Sequence, residues 1–261
     1  MDLQLNGRAA LVLGAGGGLG RAIARTLAAE GARVALADID TDALKATQAE
    51  VEAGGGAALP LLWNIADIEA CDGHVAAIEA ALGPVDILVN NTGGPPPSPA
   101  HGVAPADWEA QFRAMVLSVI HLTDRVLPNM RARKWGRIVT STSSGVVAPI
   151  PNLGVSNALR STLVGWSKTL AREVAGDGIT ANIILPGRIA TARIRFLDEQ
   201  KAKREGRPVD EIIAESTGSI PVGRYGTPEE YADAVAFLAS ARAAYITGSV
   251  IRVDGGYLPN I

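Results

Sequence analysis

Seven short, unbroken apolar runs recur along this chain, separated by longer segments with three-to-four apolar spacing. The runs are Ala9–Leu13, Arg33–Ala37, Ala57–Leu62, Ile87–Asn90, Arg137–Ser141, Thr180–Leu185 and Ser249–Val253. They do not alternate polar with apolar, so they predict parallel strands buried on both faces. Helical spacing falls near 19–30, 41–53, 67–82, 107–130, 155–175 and 228–239. Repeated strand–helix alternation predicts an α/β, doubly wound parallel sheet with right-handed crossovers. With 261 residues and no internal repeat or composition break, one domain over 1–261 is expected.

Several function classes fall away on composition. A net charge of -3 gives no global basic field for nucleic acid or an anionic membrane. Cys71 is the only cysteine, and His74, His101 and His121 lie far apart. An intramolecular disulfide is therefore impossible, and no metal site is expected. No basic-then-apolar leader opens the chain and no apolar run reaches about 18 residues. A cytoplasmic protein is expected.

The first strand runs into "LGAGGGLGRAIARTL". Gly14, Gly18 and Gly20 are spaced differently from the common G-x-G-x-x-G, but the mechanics are shared. Gly14 permits a tight turn, Gly18 a close backbone approach to a pyrophosphate, and Gly20 close packing of helix on strand. The following helix offers its N-terminal amides to phosphates. The second strand ends in "VALADID", placing Asp38 where an acid can accept from adenosine ribose hydroxyls. An anion there repels a 2′-phosphate, so NAD is expected in preference to NADP.

Two loops follow strands at the end where such sheets bind ligands: "GGPPPSPAHG" (93–102) and the segment 188–226. The second is expected to be a substrate lid. From Arg188 to Glu215 it carries seven cations and six anions, read mostly as a solvated helical surface. Arg188, Arg193 and Arg195 come first and are candidates for an anionic substrate. In the helical segment at 155–175, Ser156 and Arg160 lie one turn apart beside the apolar stripe.

Gly14–Gly20, "NNTGG" (90–94), "IVTSTSSG" (138–145), "ILPGRIAT" (184–191) and "ITGSVIRVDGG" (246–256) together resemble the short-chain dehydrogenase/reductase family, and most of all its 3-oxoacyl-[acyl-carrier-protein] reductase-like members. The resemblance covers essentially the whole chain. It implies a seven-stranded Rossmann sheet, a nicotinamide cofactor, and a homotetramer or homodimer. It also implies cofactor contacts from Gly14, Gly18, Leu19, Gly20 and Asp38. Asn64 and Ile65 stand by the third strand, Asn64 replacing the usual acid. Asn90, Asn91 and Gly93 shape the adenine side, while Pro186, Gly187, Ile189 and the rest of the run to Thr191 line the nicotinamide.

Catalysis in this family uses a serine, a tyrosine, a lysine four residues later, and an asparagine. Ser143 falls on the serine position. Ser156 stands at the tyrosine position, Arg160 at the lysine position and Met115 at the asparagine position. None of Tyr225, Tyr231, Tyr245 and Tyr257 is close enough in sequence to be an obvious replacement. A serine hydroxyl is a far weaker acid than a phenol, and arginine cannot relay a proton. Arg160 can still hold a ribose hydroxyl or stabilise an oxyanion. Acid–base help is worth roughly 10²–10⁴ in rate, so its loss slows a reductase without abolishing hydride transfer. Two expectations stand. One is an NAD(P)-dependent oxidoreductase of carbonyls or alcohols using Ser143, Ser156 and Arg160 on a small, anionic or acyl-carrier-linked substrate. The other is a catalytically silent NAD-binding sensor or scaffold.

Overall fold

The computed structural model describes residues 1–261. Its seven strands, β1 (Ala9–Leu13), β2 (Arg33–Asp38), β3 (Ala57–Leu62), β4 (Ile87–Asn90), β5 (Gly136–Ser141), β6 (Ile179–Pro186) and β7 (Val250–Val253), form one parallel sheet in the order β3-β2-β1-β4-β5-β6-β7. The strand order reverses between β1 and β4, which opens a crevice at their carboxyl ends. This is the doubly wound parallel sheet that the alternation predicts, with the seven strands and Rossmann architecture that the resemblance implies.

Successive side chains of a strand face opposite sides of a sheet, and here each side has its own core. Ala10, Val12, Val34 and Leu36 pack beneath α1 (Gly18–Ala29), α2 (Thr41–Ala53) and, through Tyr231 and Val235, a helix at Pro228–Ala239. Leu11, Leu13, Ala35 and Leu88 pack beneath α3 (Cys71–Leu82) and two further helices, at Ser118–Arg133 and Gly154–Val174. Leu11, Leu13 and Leu88 are fully buried, so truncating any of them to alanine costs about 2–5 kcal/mol.

The expectation of strands buried on both faces fails at the sheet's edges. In β3, Ala57 and Leu62 are exposed and the residues between are only half-buried; in β7, Val250 is exposed. Each of these strands has a single neighbour, and Pro60 in β3 lacks the N–H that a second partner would require. α3 begins at Cys71, not near 67, because residues 67–70 turn before the helix.

The segment read as one helix over 107–130 is divided. α4 (Pro105–Phe112) passes through a π-helical turn at Arg113–Leu117 into α5 (Ser118–Arg133), which carries Pro128 inside it. Met115, Val116 and Val119 pack there on Val155, Leu159 and Leu163 of α6 (Gly154–Val174). The segment 188–226 contains two helices, α7 (Ala192–Glu205) and α8 (Val209–Gly218), before α9 (Pro228–Ala239). No helix is long and apolar enough to cross a membrane.

Candidate active site

The carboxyl ends of β1, β4, β5 and β6 open into a cavity of about 630 Å³. Its first wall is the glycine turn. Gly14 sits at φ +62°, where a side chain would strike the Asn91 carbonyl at 2.7 Å; Asn91 Nδ2 in turn donates to the Leu13 carbonyl at 3.2 Å. Gly20 is buried against the turn: a Cβ there would lie 2.0 Å from the Gly14 carbonyl oxygen. α1 therefore starts in direct backbone contact with β1. Its N-cap, Gly17, supplies no side-chain acceptor, and no acid stands in its first turn. The amides and the positive end of the helix are left for an external anion.

Asp38 closes this wall. Its carboxylate accepts from Gly16 N at 2.8 Å, Ile39 N at 2.7 Å and Asp40 N at 3.1 Å. Gly14, Gly18, Leu19, Asp38, Asn91 and Gly93 all line the cavity. Asn64 and Ile65 do not. Asn64 is exposed and caps Ala66 N at 3.1 Å, and Ile65 packs toward the core under α3. Asn90 is fully buried and donates to Thr140 Oγ1 at 3.2 Å, beneath the floor.

The centre of the cavity is built from β5 and α6. Ser143 follows β5, with its hydroxyl accepting from Gly145 N at 3.1 Å. Ser156 and Arg160, one turn apart on α6, are both buried and both line the cavity with Ser143. Arg160 donates to the carbonyls of Ser141 at 3.3 Å, Thr92 at 3.5 Å and Gly93 at 3.1 Å. These are the ends of β4 and β5, so the guanidinium ties the two central strands together from above. Its pKa is brought down to about 10, chiefly by burial, with Tyr231 opposing the shift and the Arg193 charge adding to it. Arg160 is still charged at neutral pH. Met115 is buried in the apolar contact between the π-helical turn and α6.

The third wall is β6 and the segment 188–226. Pro186, Gly187, Ile189 and Thr191 line the cavity, as does α7 through Ala192, Arg193, Ile194, Leu197, Gln200, Lys201 and Arg204. α7 is thus not simply a solvated surface. Its charge-rich sequence conceals a face turned to the site. The three leading arginines separate. Arg188 Nη1 pairs with the fully buried Asp198 at 3.1 Å, and Tyr225 donates to the same carboxylate at 2.8 Å. This anchors α7 to the exit of β6. Arg195 is 82% exposed, pairs with Glu199 and does not reach the cavity. Arg193 lines it, donating to the Pro95 carbonyl at 2.8 Å.

Sequence distance hid two tyrosines. Tyr257 comes round from the C-terminus into the cavity wall. Tyr231, fully buried on α9, shares a 2.8 Å hydrogen bond with the Ser141 hydroxyl under the floor, and burial pushes its pKa up. The proline-rich loop also joins the wall. Pro97 lines the cavity, and Ser98 exchanges backbone bonds of 2.9 Å with Asn152 and Gly154 at the start of α6. Nothing in the sequence marks Thr92 or Thr142, whose buried hydroxyls have no partner within the protein.

The lining holds five cations (Arg160, Arg188, Arg193, Lys201 and Arg204) against one acid, Asp38. It contains no histidine, cysteine or glutamate. Such a site favours anionic ligands and lacks the side chains that ordinarily act as acid or base near neutral pH.

Comparison with known proteins fits this geometry. A family model described as Enoyl-(Acyl carrier protein) reductase matches residues 14–258. The chain is 39% identical over 257 residues to the 3-oxoacyl-[acyl-carrier-protein] reductase FabG of Escherichia coli, covering 97% of this chain and 98% of that protein. Its fold matches the L-sorbose reductase of Gluconobacter frateurii complexed with NADPH and L-sorbose, at TM-score 0.94, 32% identity and full coverage of both chains. It also matches an NAD+-bound xylitol dehydrogenase at TM-score 0.90 and 28% identity, covering 97% of this chain and all of the other.

Proposed function

This chain belongs to the short-chain dehydrogenase/reductase family and is a nicotinamide-dependent oxidoreductase of CH–OH and C=O groups; from that premise we propose that it works without the family's phenolic acid, using Ser143, Ser156 and Arg160. The observation that carries this reading is the placement of all three on one cavity wall, with Arg160 buried, charged and held by three carbonyls.

The residues fit a dinucleotide. The side-chain-free turn at Gly14–Gly20 and the uncapped start of α1 suit its diphosphate, and Asp38 suits the adenosine ribose. The carboxylate of Asp38 disfavours a 2′-phosphate, which supports NAD over NADP in this chain, although the sorbose reductase binds NADPH. When bound, the cofactor supplies or accepts the hydride. Ser143 and Ser156 then serve as hydrogen-bond donors to the substrate oxygen. Arg160 stabilises negative charge on that oxygen without giving up its proton. No histidine, cysteine or glutamate lines the cavity, and solvent supplies the proton.

Two substitutions test this. Ser143→Ala and Ser156→Ala should each lower kcat/KM for carbonyl reduction by about 10-fold or more while NADH affinity stays unchanged. NADH binding with no turnover across a broad panel of ketones and alcohols would instead favour a silent cofactor-binding protein.

A further inference from the structure

Arg160 and Arg193 reach the cavity from different elements, yet they converge. The Nη2 atom of Arg193 lies 3.4 Å, and that of Arg160 3.5 Å, from the point where a side chain on Gly94 would begin. Neither has a carboxylate partner. The hydrogen bonds of Arg160 all go to backbone carbonyls, and that of Arg193 goes to the Pro95 carbonyl. The contrast with the rest of the segment 188–226 is sharp. Arg188, Arg195, Lys201, Arg204 and Arg207 are all ion-paired, and the other cation of this segment without a carboxylate partner, Lys203, does not line the cavity. Two guanidiniums facing one point without a counter-charge, Arg160 buried and Arg193 on the open side of the cavity, repel each other until an anion sits between them. The missing side chain of Gly94 leaves room there, and an oxyanion accepting bonds of about 2.8 Å from each fork spans such a gap. The hydroxyl of Thr92, buried and without a partner, borders the same cavity.

We infer that Arg160 and Arg193 form a two-guanidinium seat at Gly94 for an oxyanionic group of the substrate, a carboxylate or a phosphoryl, close to the carbon that is oxidised or reduced. This rests on the oxidoreductase reading only in assigning the anion to the substrate; the seat itself is a binding site with its own readout. Arg160 thereby replaces the family's lysine with a group that selects acidic substrates, because its planar fork serves an oxyanion where an ammonium offers a single point charge.

The test is calorimetric titration of the full chain, first saturated with NADH, with malonate, with inorganic phosphate and with the neutral malonamide. Either anion should bind at least about tenfold more tightly than malonamide, and which one wins names the group. Arg193→Gln should lower that affinity by about tenfold or more. Arg195→Gln, which removes the same charge from the same helix but on its solvent face, should leave it unchanged. The inference is overturned if neither anion outbinds malonamide on the wild-type chain, or if the two substitutions act equally. It is also overturned if Arg193→Gln weakens NADH as much as it weakens the anion, since the pair would then serve the cofactor. Anion binding without turnover removes the oxidoreductase reading alone, and turnover without anion binding removes the seat alone.

Discussion

Three neighbouring glycines separate what the turn does for the fold from what it does for the cofactor. At Gly20, an alanine Cβ would lie 2.0 Å from the Gly14 carbonyl oxygen, 2.6 Å from its carbon and 3.1 Å from Ala15 Cα. Carbon–oxygen approach normally stops near 3.3 Å, so α1 must retreat from β1 by about 1 Å. All the obstructing atoms are backbone and cannot rotate away. The cost therefore falls at or above the upper end of ordinary overpacking, about 3 kcal/mol. For a chain of this length that lowers Tm by roughly 6–12 °C. At Gly18, φ is +51° and the nearest atom is the Thr191 methyl at 3.5 Å. Gly18→Ala therefore meets only the left-handed penalty of about 1–2 kcal/mol. At Gly17, φ is −161° and a Cβ meets nothing within 4 Å. Gly17→Ala should leave stability within about 0.5 kcal/mol of the parent. Because Gly17 lines the cavity, the added methyl should still weaken NADH. Urea unfolding and NADH fluorescence titration on the three variants give both axes. Gly17→Ala destabilising as much as Gly20→Ala, or a Tm for Gly20→Ala within about 2 °C of the parent, refutes the reasoning.

Three further outcomes are expected. Ser156→Tyr combined with Arg160→Lys should raise ketone reductase activity by about 10²–10⁴, measured as NADH oxidation; no gain would point to the apolar packing of Met115 or the cavity shape as a second block. The pH profile of kcat/KM should be flat from about pH 6 to 9, since no histidine, cysteine or glutamate lines the cavity. Activity should fall above about pH 10, where Arg160, its pKa lowered by burial, loses its proton; a bell centred near neutrality would contradict the assignment. Asp38→Ala removes the acceptor for three backbone amides and the carboxylate proposed for the ribose, so NADH affinity should drop about tenfold and the NADPH/NADH affinity ratio should rise. An unchanged ratio sinks the NAD preference.

The central strands were legible because burial on both faces makes each an uninterrupted apolar run. Leu11 and Val12 face opposite cores, and both must be apolar. The same rule misjudges β3 and β7, since an edge strand can have an apolar sequence and still be half-exposed. The glycine turn was legible because its steric demands are local. The segment 188–226 was only half legible. α7 alternates cations with anions at nearly every turn, which conceals the face carrying Arg193, Leu197 and Lys201 into the cavity. Whether Arg193 or Arg195 faces inward depends on how α7 is anchored by Asp198, and no local pattern encodes that contact. Tyr257 and Tyr231 reach the cavity wall and floor only through the packing of α9 and of the chain that follows β7.

α9 lies against α1, with Tyr231, Ala232 and Val235 in the same cluster as Ile23, Ala24 and Leu27. This couples segments made about 200 residues apart. At about 5–20 residues per second, the apolar stripe of the first helix waits roughly 10–40 s after leaving the ribosome for the helix that covers it. During that interval the turn and β1 can pair with β2, yet the upper side of the sheet lies open to water and to other chains. A nascent chain halted before Pro228 should therefore be a chaperone client and not a free-standing nucleotide-binding fragment. The ribosome finishes the cofactor half of this fold only when it has also made Pro228–Ala239.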